Sequence, residues 1–162
     1  MSPTRQAALL LRLELMEVQD AYVAVLDEGR LEDWPAMFTE DCLYEIIPRE
    51  NADAGLPAPL MRCEGAAMLR DRVISLRHAN IYETPHYRHL LSGHSVTALD
   101  DDTVAMRASY VVINTSQDGE STIFQAGQYR DRLVRTAEGW RFSVKRAVYD
   151  THRVQTLLAY PV

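Results

Sequence analysis

Three histidines lie close together in the sequence and are the residues best suited to bind a metal ion. They are His86, His89 and His94. A mononuclear iron site needs two histidines and a carboxylate that converge on one face. If this segment is extended, side chains three residues apart point to opposite faces of a sheet, and a metal would need an irregular backbone around Pro85. We therefore expect structural or surface histidines, and no metal-binding or catalytic residue in this chain.

The two cysteines, Cys42 and Cys63, are the other residues that could bind metal or act as nucleophiles. Neither has an adjacent histidine or lysine that would lower the pKa of its thiol. Two cysteines in a chain of this length fit free thiols in a cytoplasmic protein better than a disulfide scaffold. We expect both to be small buried hydrophobic residues.

Composition and charge restrict the partners of the chain. Its 162 residues fit one domain, 47% of them are hydrophobic, and the net charge is −6. Such a surface repels nucleic acid and anionic lipid. No apolar run approaches the ~18 residues needed to span a bilayer, and no signal peptide is visible. The expectation is a single cytoplasmic domain over residues 1–162, with residues 1–10 as a flexible N-terminus.

Apolar periodicity predicts three helices in the first half of the chain. Spacings of three and four residues in segment 11–28 form one helical face, and Gly29 is a natural stop. A short helix over residues 31–38 should turn Trp34 and Phe38 toward the core. A third helix is predicted over residues 65–77, with one side formed by Met68, Leu69, Val73 and Leu76.

Extended segments dominate the second half. Residues 39–41 are predicted to form a turn, residues 42–47 a strand, and residues 48–63 an irregular loop.

Four long strands are predicted after this loop, joined by short turns into an antiparallel meander. They cover residues 87–98, 103–115, 121–135 and 140–151. In the last strand, Phe142 and Val144 are expected on one face of the sheet and Ser143 and Lys145 on the other. In the strand before it, Gly127 predicts a bend or bulge. Helices followed by strands indicate an α+β class, here a cone in which a curved antiparallel sheet wraps around N-terminal helices.

Several motifs resemble the beta (small) subunits of Rieske-type aromatic-ring-hydroxylating dioxygenases. The pattern W-x-x-x-F-x-x-D-x-x-Y is present as Trp34, Phe38, Asp41 and Tyr44. Matching runs follow in order: P-R-E-N at 48–51, G-L-P at 55–57, M-L-R-D-R-V at 68–73, Y-R-H at 87–89, R-A-V-Y-D at 146–150 and the late Pro161. The likeness covers residues 11–162. The P-R-E-N run is most similar to members acting on benzoate-like acids such as anthranilate, salicylate or terephthalate.

The resemblance implies a cone like those of nuclear transport factor and ketosteroid isomerase. It also implies assembly with an alpha subunit, commonly three of each, which holds a Rieske [2Fe–2S] cluster and a mononuclear non-haem iron. A reductase or ferredoxin component supplies electrons from NADH for hydroxylation of an aromatic acid with O2. Both dioxygenases and related monooxygenases share this small subunit. The paired C-x-H and C-x-x-H motifs of the family's Rieske cluster are missing from this sequence, so we expect no cofactor in this chain and a structural role for it.

Two other functions fit the same cone. One is a stand-alone dehydratase or isomerase that uses an Asp–His or Asp–Tyr constellation in its cavity, for which the candidates are Asp41, Tyr44, Tyr87, His89 and Asp150. The other is a binding or dimerisation module without enzymatic activity. A fold alone does not decide between these functions.

Residues typical of protein interfaces concentrate in segments 48–63 and 81–89, which are rich in Arg, Tyr, His and Pro. We expect contacts with another subunit from Arg49, Asn51, Tyr82, Tyr87, Arg88 and His89. The apolar tail 157–162 should pack either at an interface or on its own sheet.

Overall fold

The computed structural model describes residues 2–79, 84–150 and 159–162. Its helices are α1 (Pro3–Asp27), α2 (Arg49–Asp53) and α3 (Ala66–His78), with a 3₁₀ turn at Trp34–Met37. Its strands are β1 (Phe38–Pro48), β2 (Met61–Glu64), β3 (His86–Ala98), β4 (Thr103–Thr115), β5 (Ser121–Thr136) and β6 (Gly139–Tyr149). In this part of the chain, no helix is long and apolar enough to cross a membrane.

One mixed sheet contains the six described strands, in the order β2-β1-β6-β5-β4-β3. The four long strands form the predicted antiparallel meander. The sheet is not wholly antiparallel, however, because β1 pairs with β6 in parallel. The sequence pattern of one strand does not identify a partner about a hundred residues away in the chain, so this pairing was not predicted. The α+β class and the cone architecture are confirmed.

Segment 39–64 is more regular than expected. The predicted turn at residues 39–41 is wrong, because these residues belong to β1, whose pairing with β6 is irregular between Phe38 and Leu43. The predicted loop 48–63 also contains α2 and most of β2. β2 is a short antiparallel partner of β1 that places Cys63 opposite Tyr44.

Two of the three predicted helices are confirmed as α-helices, with changes at their ends. α1 begins at Pro3, capped by the Ser2 hydroxyl, and Gly29 follows its end with a positive φ of 69°. The segment predicted over residues 31–38 is only a 3₁₀ turn, but Trp34 and Phe38 are buried as expected. In α3, Met68 is exposed, and Ala66 takes its place on the buried side.

Bulges in two strands change which side chains face the helices. In β6, Ser143 is an extra residue, since Phe142 pairs with Leu133 and Val144 with Arg132. Phe142 and Lys145 therefore both point inward, and the prediction that they alternate is wrong. In β5 the bulge lies at Phe124 rather than at Gly127. Gly127 has a different role: a Cβ there would lie 2.1 Å from the carbonyl oxygen of Val148.

The core fills the space between the concave face of the sheet and the helices α1 and α3. Its centre is a group of rings in edge-to-face contact, the geometry aromatic quadrupoles prefer. Tyr22 of α1 contacts Phe142 of β6 at 5.5 Å between ring centroids, and Trp34 contacts Tyr44 of β1 at 5.0 Å. These contacts fix α1 and the 3₁₀ turn against the sheet.

Candidate functional site

A buried histidine–carboxylate pair joins β3 to the end of α1. His89 Nδ1 lies 2.5 Å from Asp27 Oδ1, and the backbone N–H of His89 donates to Asp27 Oδ2 at 2.9 Å. The two side chains are 0% and 6% exposed. His89 Nε2 is buried and has no hydrogen-bond partner among the described residues. The carboxylate therefore orients the ring, and one ring nitrogen is left to act as donor or acceptor.

The sequence identified His89 but not its partner. Asp27 was missed because it lies at the last residue of α1, on the polar side of the helical pattern. Only the crossing of α1 over β3 brings the two together. The arrangement resembles the Asp–His constellation considered above, with a different aspartate.

The other candidates for acid–base chemistry do not converge on His89. Asp41 is exposed on β1, and Asp150 pairs with Arg49 at 2.6 Å. Tyr44 is buried: its hydroxyl donates to the carbonyl oxygen of Val162 at 3.1 Å and accepts from its N–H at 2.9 Å. Tyr87 is the one neighbour, with its ring 6.2 Å from that of His89, and burial raises the pKa of the Tyr87 hydroxyl.

The histidine cluster is divided between the two faces of β3, as expected from its spacing. His86 is exposed and His89 is buried. His94 follows after the backbone becomes irregular between Ser92 and Ser95, and partial burial lowers the pKa of the His94 ring. No group of three or more His, Cys, Asp or Glu side chains within residues 2–79, 84–150 and 159–162 is arranged to hold a metal ion.

Both cysteines are free and buried. Burial raises the pKa of the Cys42 thiol to about 11 and also raises that of Cys63. Metal ligation and nucleophilic attack require the thiolate. A Rieske cluster also needs two histidines, and no described histidine joins these cysteines in a group of three or more possible ligands. They therefore do not fit that donor set, and small buried hydrophobic residues describe them well.

A second buried ionic group lies deeper in the core. Lys145 Nζ is 2.9 Å from Asp131 Oδ2 and 3.0 Å from Gln19 Oε1, and Gln19 also donates to Asp131. The ammonium group lies 3.7 Å from the centroid of the Tyr129 ring and 4.2 Å from that of Tyr22. Burial raises the pKa of Asp131 and lowers that of Lys145. The side chains of Lys145, Asp131 and Gln19 thus satisfy one another, and none of the three is left unpaired.

The residues predicted to form a subunit interface fall into three groups. Arg49 and Arg88 are exposed on the surface. Asn51 is half-buried, and its amide donates to the carbonyl oxygen of Ala58 at 3.0 Å. Tyr87 and His89 point into the interior and present little side-chain surface to a partner. Tyr82 lies outside the described residues.

The described part of the tail packs on its own chain. Ala159 and Val162 belong to the core cluster, and the carbonyl of Val162 also accepts from the Tyr22 hydroxyl at 2.8 Å. Residues 157 and 158 lie outside the described residues.

Comparison with known proteins gives a consistent result at three levels. Residues 7–146 match the model of the SnoaL-like domain. The chain is 54% identical over 149 residues to the anthranilate 1,2-dioxygenase small subunit of Burkholderia cepacia, which covers 92% of each chain. It is 32% identical to a terephthalate 1,2-dioxygenase terminal oxygenase subunit beta of a Comamonas species, over 93% of this chain and 97% of that one. A crystal structure assigned as the beta subunit of an aromatic-ring-hydroxylating dioxygenase of Novosphingobium aromaticivorans superposes with a TM-score of 0.87, at 42% identity, over 96% and 99% of the two chains.

Proposed function

Since this chain belongs to the SnoaL-like small (beta) subunits of aromatic-ring-hydroxylating dioxygenases, we propose that it is the structural subunit of an oxygenase that hydroxylates anthranilate or a closely related aromatic acid. Its partner is a large alpha subunit that carries a Rieske [2Fe–2S] cluster and a mononuclear iron, in an assembly of three alpha and three beta subunits. A reductase or ferredoxin component supplies the electrons, and the complex works in the cytoplasm.

The observation that carries this proposal is the 54% identity over 149 residues to the small subunit of an anthranilate 1,2-dioxygenase. Identity at this level along most of both chains includes surface as well as core positions. A subunit whose role is to bind a particular partner must preserve its surface, so the likeness supports the same type of assembly. The P-R-E-N run at 48–51 resembles that of family members acting on benzoate-like acids, which supports an aromatic acid as substrate.

The chemistry of the interior supports a structural role. The buried cysteines have thiol pKa values raised by burial, and the buried lysine is enclosed by an aspartate, a glutamine and aromatic rings. No described group of three or more His, Cys, Asp or Glu side chains is arranged to hold a metal ion. The described residues therefore do not fit either iron centre, and we derive no step through iron in this chain. The alpha subunit provides the oxidation chemistry, and this subunit provides the surface that holds the alpha subunits together.

Reconstitution tests the proposal. The chain is expressed with and without the large oxygenase subunit of the same organism, and NADH and O2 consumption are measured with anthranilate, salicylate, benzoate and terephthalate. We expect one complex containing both subunits, with substrate-dependent consumption that is lost when this chain is omitted. Separate migration of the two purified subunits, or full turnover without this chain, contradicts the proposal.

A second candidate function is acid–base chemistry within this chain, and the buried His89–Asp27 pair with its unpartnered Nε2 favours it. It predicts that His89→Gln abolishes a turnover that the isolated chain performs on a small hydroxylated or carbonyl substrate. The structural role predicts no such turnover and unchanged assembly in the same variant.

A further inference from the structure

A row of charged side chains crosses the sheet from strand to strand. The register places Arg107 of β4 opposite Arg130 of β5, and Arg130 opposite Arg146 of β6. The row continues from Arg146 to Glu45 of β1 and from Glu45 to Arg62 of β2. Four arginines and one glutamate thus lie side by side across five strands of a chain whose net charge is −6.

This arginine row lies on the outer face of the sheet. Successive residues of a strand point to opposite faces, and the neighbours of the row belong to the core. Examples are Tyr44 and Ile46 beside Glu45, and Ala108 beside Arg107. The four arginines are exposed or half-exposed, whereas Glu45 is buried beneath its two arginine partners.

The row contains more cations than its own chain neutralises. Glu45 binds both Arg62 and Arg146, Glu64 also binds Arg62 at 2.7 Å, and Asp53 of α2 binds Arg130 at 2.8 Å. Arg107 forms no ion pair with the described residues. Arg132 is exposed two residues beyond Arg130 on the same face, and it lies within electrostatic range of Asp100 without forming an ion pair. Like charges directly opposite one another destabilise a sheet, so this arrangement costs free energy in the isolated chain.

Two unpaired and two paired arginines border a shallow depression of about 320 Å³ on this face. Its rim carries Arg107, Arg130, Arg132 and Arg146, and its floor contains the apolar side chains Leu43, Ala105 and Val144. An apolar floor within a rim of guanidinium groups suits carboxylate side chains presented by a folded surface. Arg49 and α2 border the same face through the Arg130–Asp53 pair, so the depression lies beside a segment already expected at an interface.

We propose that this outer face docks an acidic surface of the large oxygenase subunit, whose carboxylates bind Arg107 and Arg132. The inference rests on the proposed function, because it names the partner. A two-fold pairing of this face with a second copy would place one arginine row against another, which like-charge repulsion opposes. Charge complementarity therefore favours a different, acidic chain.

The test uses a charge reversal and a matched control. The double variant Arg107→Glu/Arg132→Glu is compared with Arg5→Glu/Arg12→Glu, which makes the same change in net charge at exposed arginines of α1. Binding to the purified large subunit is measured by calorimetry at low salt, and the folding of each variant is checked by circular dichroism. We expect affinity to fall about tenfold or more for the outer-face variant and to stay within about twofold of the wild type for the control. If the charge reversal prevents folding, the neutral variant Arg107→Gln/Arg132→Gln replaces it, and its affinity for the large subunit should also fall.

The outcomes separate this inference from the function on which it rests. If the wild-type chain binds the large subunit and the folded outer-face variant binds equally well, the docking face is wrong and the proposed function stands. If the wild-type chain does not bind the large subunit, the proposed function fails, and this inference fails with it. If the outer-face variant changes the self-association of the chain in light scattering but not its binding to the large subunit, the occupant is a second copy and the inference is overturned.

Discussion

Charged side chains are paired differently on the two faces of the sheet. On the inner face, Lys145 is enclosed by Asp131, Gln19 and aromatic rings, and Asp27 holds His89. On the outer face, arginines lie beside one another, and Arg107 lacks a carboxylate partner in the described chain. Inner charges are thus neutralised within the chain, whereas Arg107 and Arg132 on the outer face remain available to another molecule.

This difference indicates where the function resides. A polar group buried with its partners contributes to a unique fold, since leaving it unpaired is costly. An excess of like charge on a solvent-exposed sheet gives the isolated chain no such benefit. We therefore expect substitutions on the inner face to change stability and substitutions on the outer face to change assembly.

The largest effect on stability is expected from removing the buried lysine. Lys145→Met leaves Asp131 as an uncompensated buried charge, and we expect the free energy of unfolding to fall by about 3–5 kcal/mol. Urea denaturation measures the change. The triple variant Lys145→Met/Asp131→Leu/Gln19→Leu should recover most of the loss, because it leaves neither a buried charge nor the Gln19 amide without a partner. A single variant as stable as the wild type would show that the inner face does not depend on this pair.

His89→Leu should have the next largest effect. It removes a hydrogen bond to a buried carboxylate, so the expected loss is about 1–3 kcal/mol. The matched control is His86→Leu, three residues earlier on the same strand and exposed, which should change stability by about 0.5 kcal/mol or less. Equal losses in the two variants would argue against a difference between the two faces of β3.

Two buried tyrosines on the inner face allow a finer comparison. The Tyr44 hydroxyl both donates to and accepts from Val162, whereas the Tyr129 hydroxyl has no hydrogen-bond partner among the described residues. We expect Tyr44→Phe to lower the free energy of unfolding by about 1–2 kcal/mol, and Tyr129→Phe to leave it unchanged or higher. The reverse order in thermal denaturation would contradict the hydrogen bonding described for the tail.

The smallest effect is expected from an exposed ion pair. The guanidinium of Arg77 lowers the pKa of Glu32 to about 2 from its ordinary 4.5. Since the folded-state pKa is depressed, the stabilisation is present above about pH 4.5 and is lost as the pH falls through about 2. Both side chains are more than a third exposed, so Glu32→Gln should cost less than about 1 kcal/mol at pH 7. The cost should vanish near pH 2, whereas Glu120→Gln, which has no ion pair in the described chain, should show no such pH dependence.

The sequence predicted the long strands well because their ends carry strong turn signals. The turns at residues 99–102 and 116–120 contain aspartates or glycine, and β4 has the predicted bounds. The faces of β5 and β6 were harder to predict. One extra residue at Ser143 changes the orientation of every side chain after it, and a bulge depends on the neighbouring strand rather than on local composition. Lys145 was expected on the face opposite Phe142 for this reason.

The candidate sites were predictable to different degrees. His89 stood out because histidine is rare in the chain, but its pairing with Asp27 depends on how α1 crosses the sheet. The arginine row was not visible in the sequence. Its members are separated by up to 101 residues along the chain, from Glu45 to Arg146, and only the register of five strands aligns them.

The most direct test of this account is the rate of anthranilate-dependent O2 uptake per mole of assembled oxygenase, measured with wild-type, His89→Gln and Arg107→Glu/Arg132→Glu small subunits. We expect the three complexes to turn over at the same rate once assembled, with much less complex formed by the arginine variant. A normally assembled His89→Gln complex that has lost its turnover would contradict the account, because it would place chemistry inside this chain.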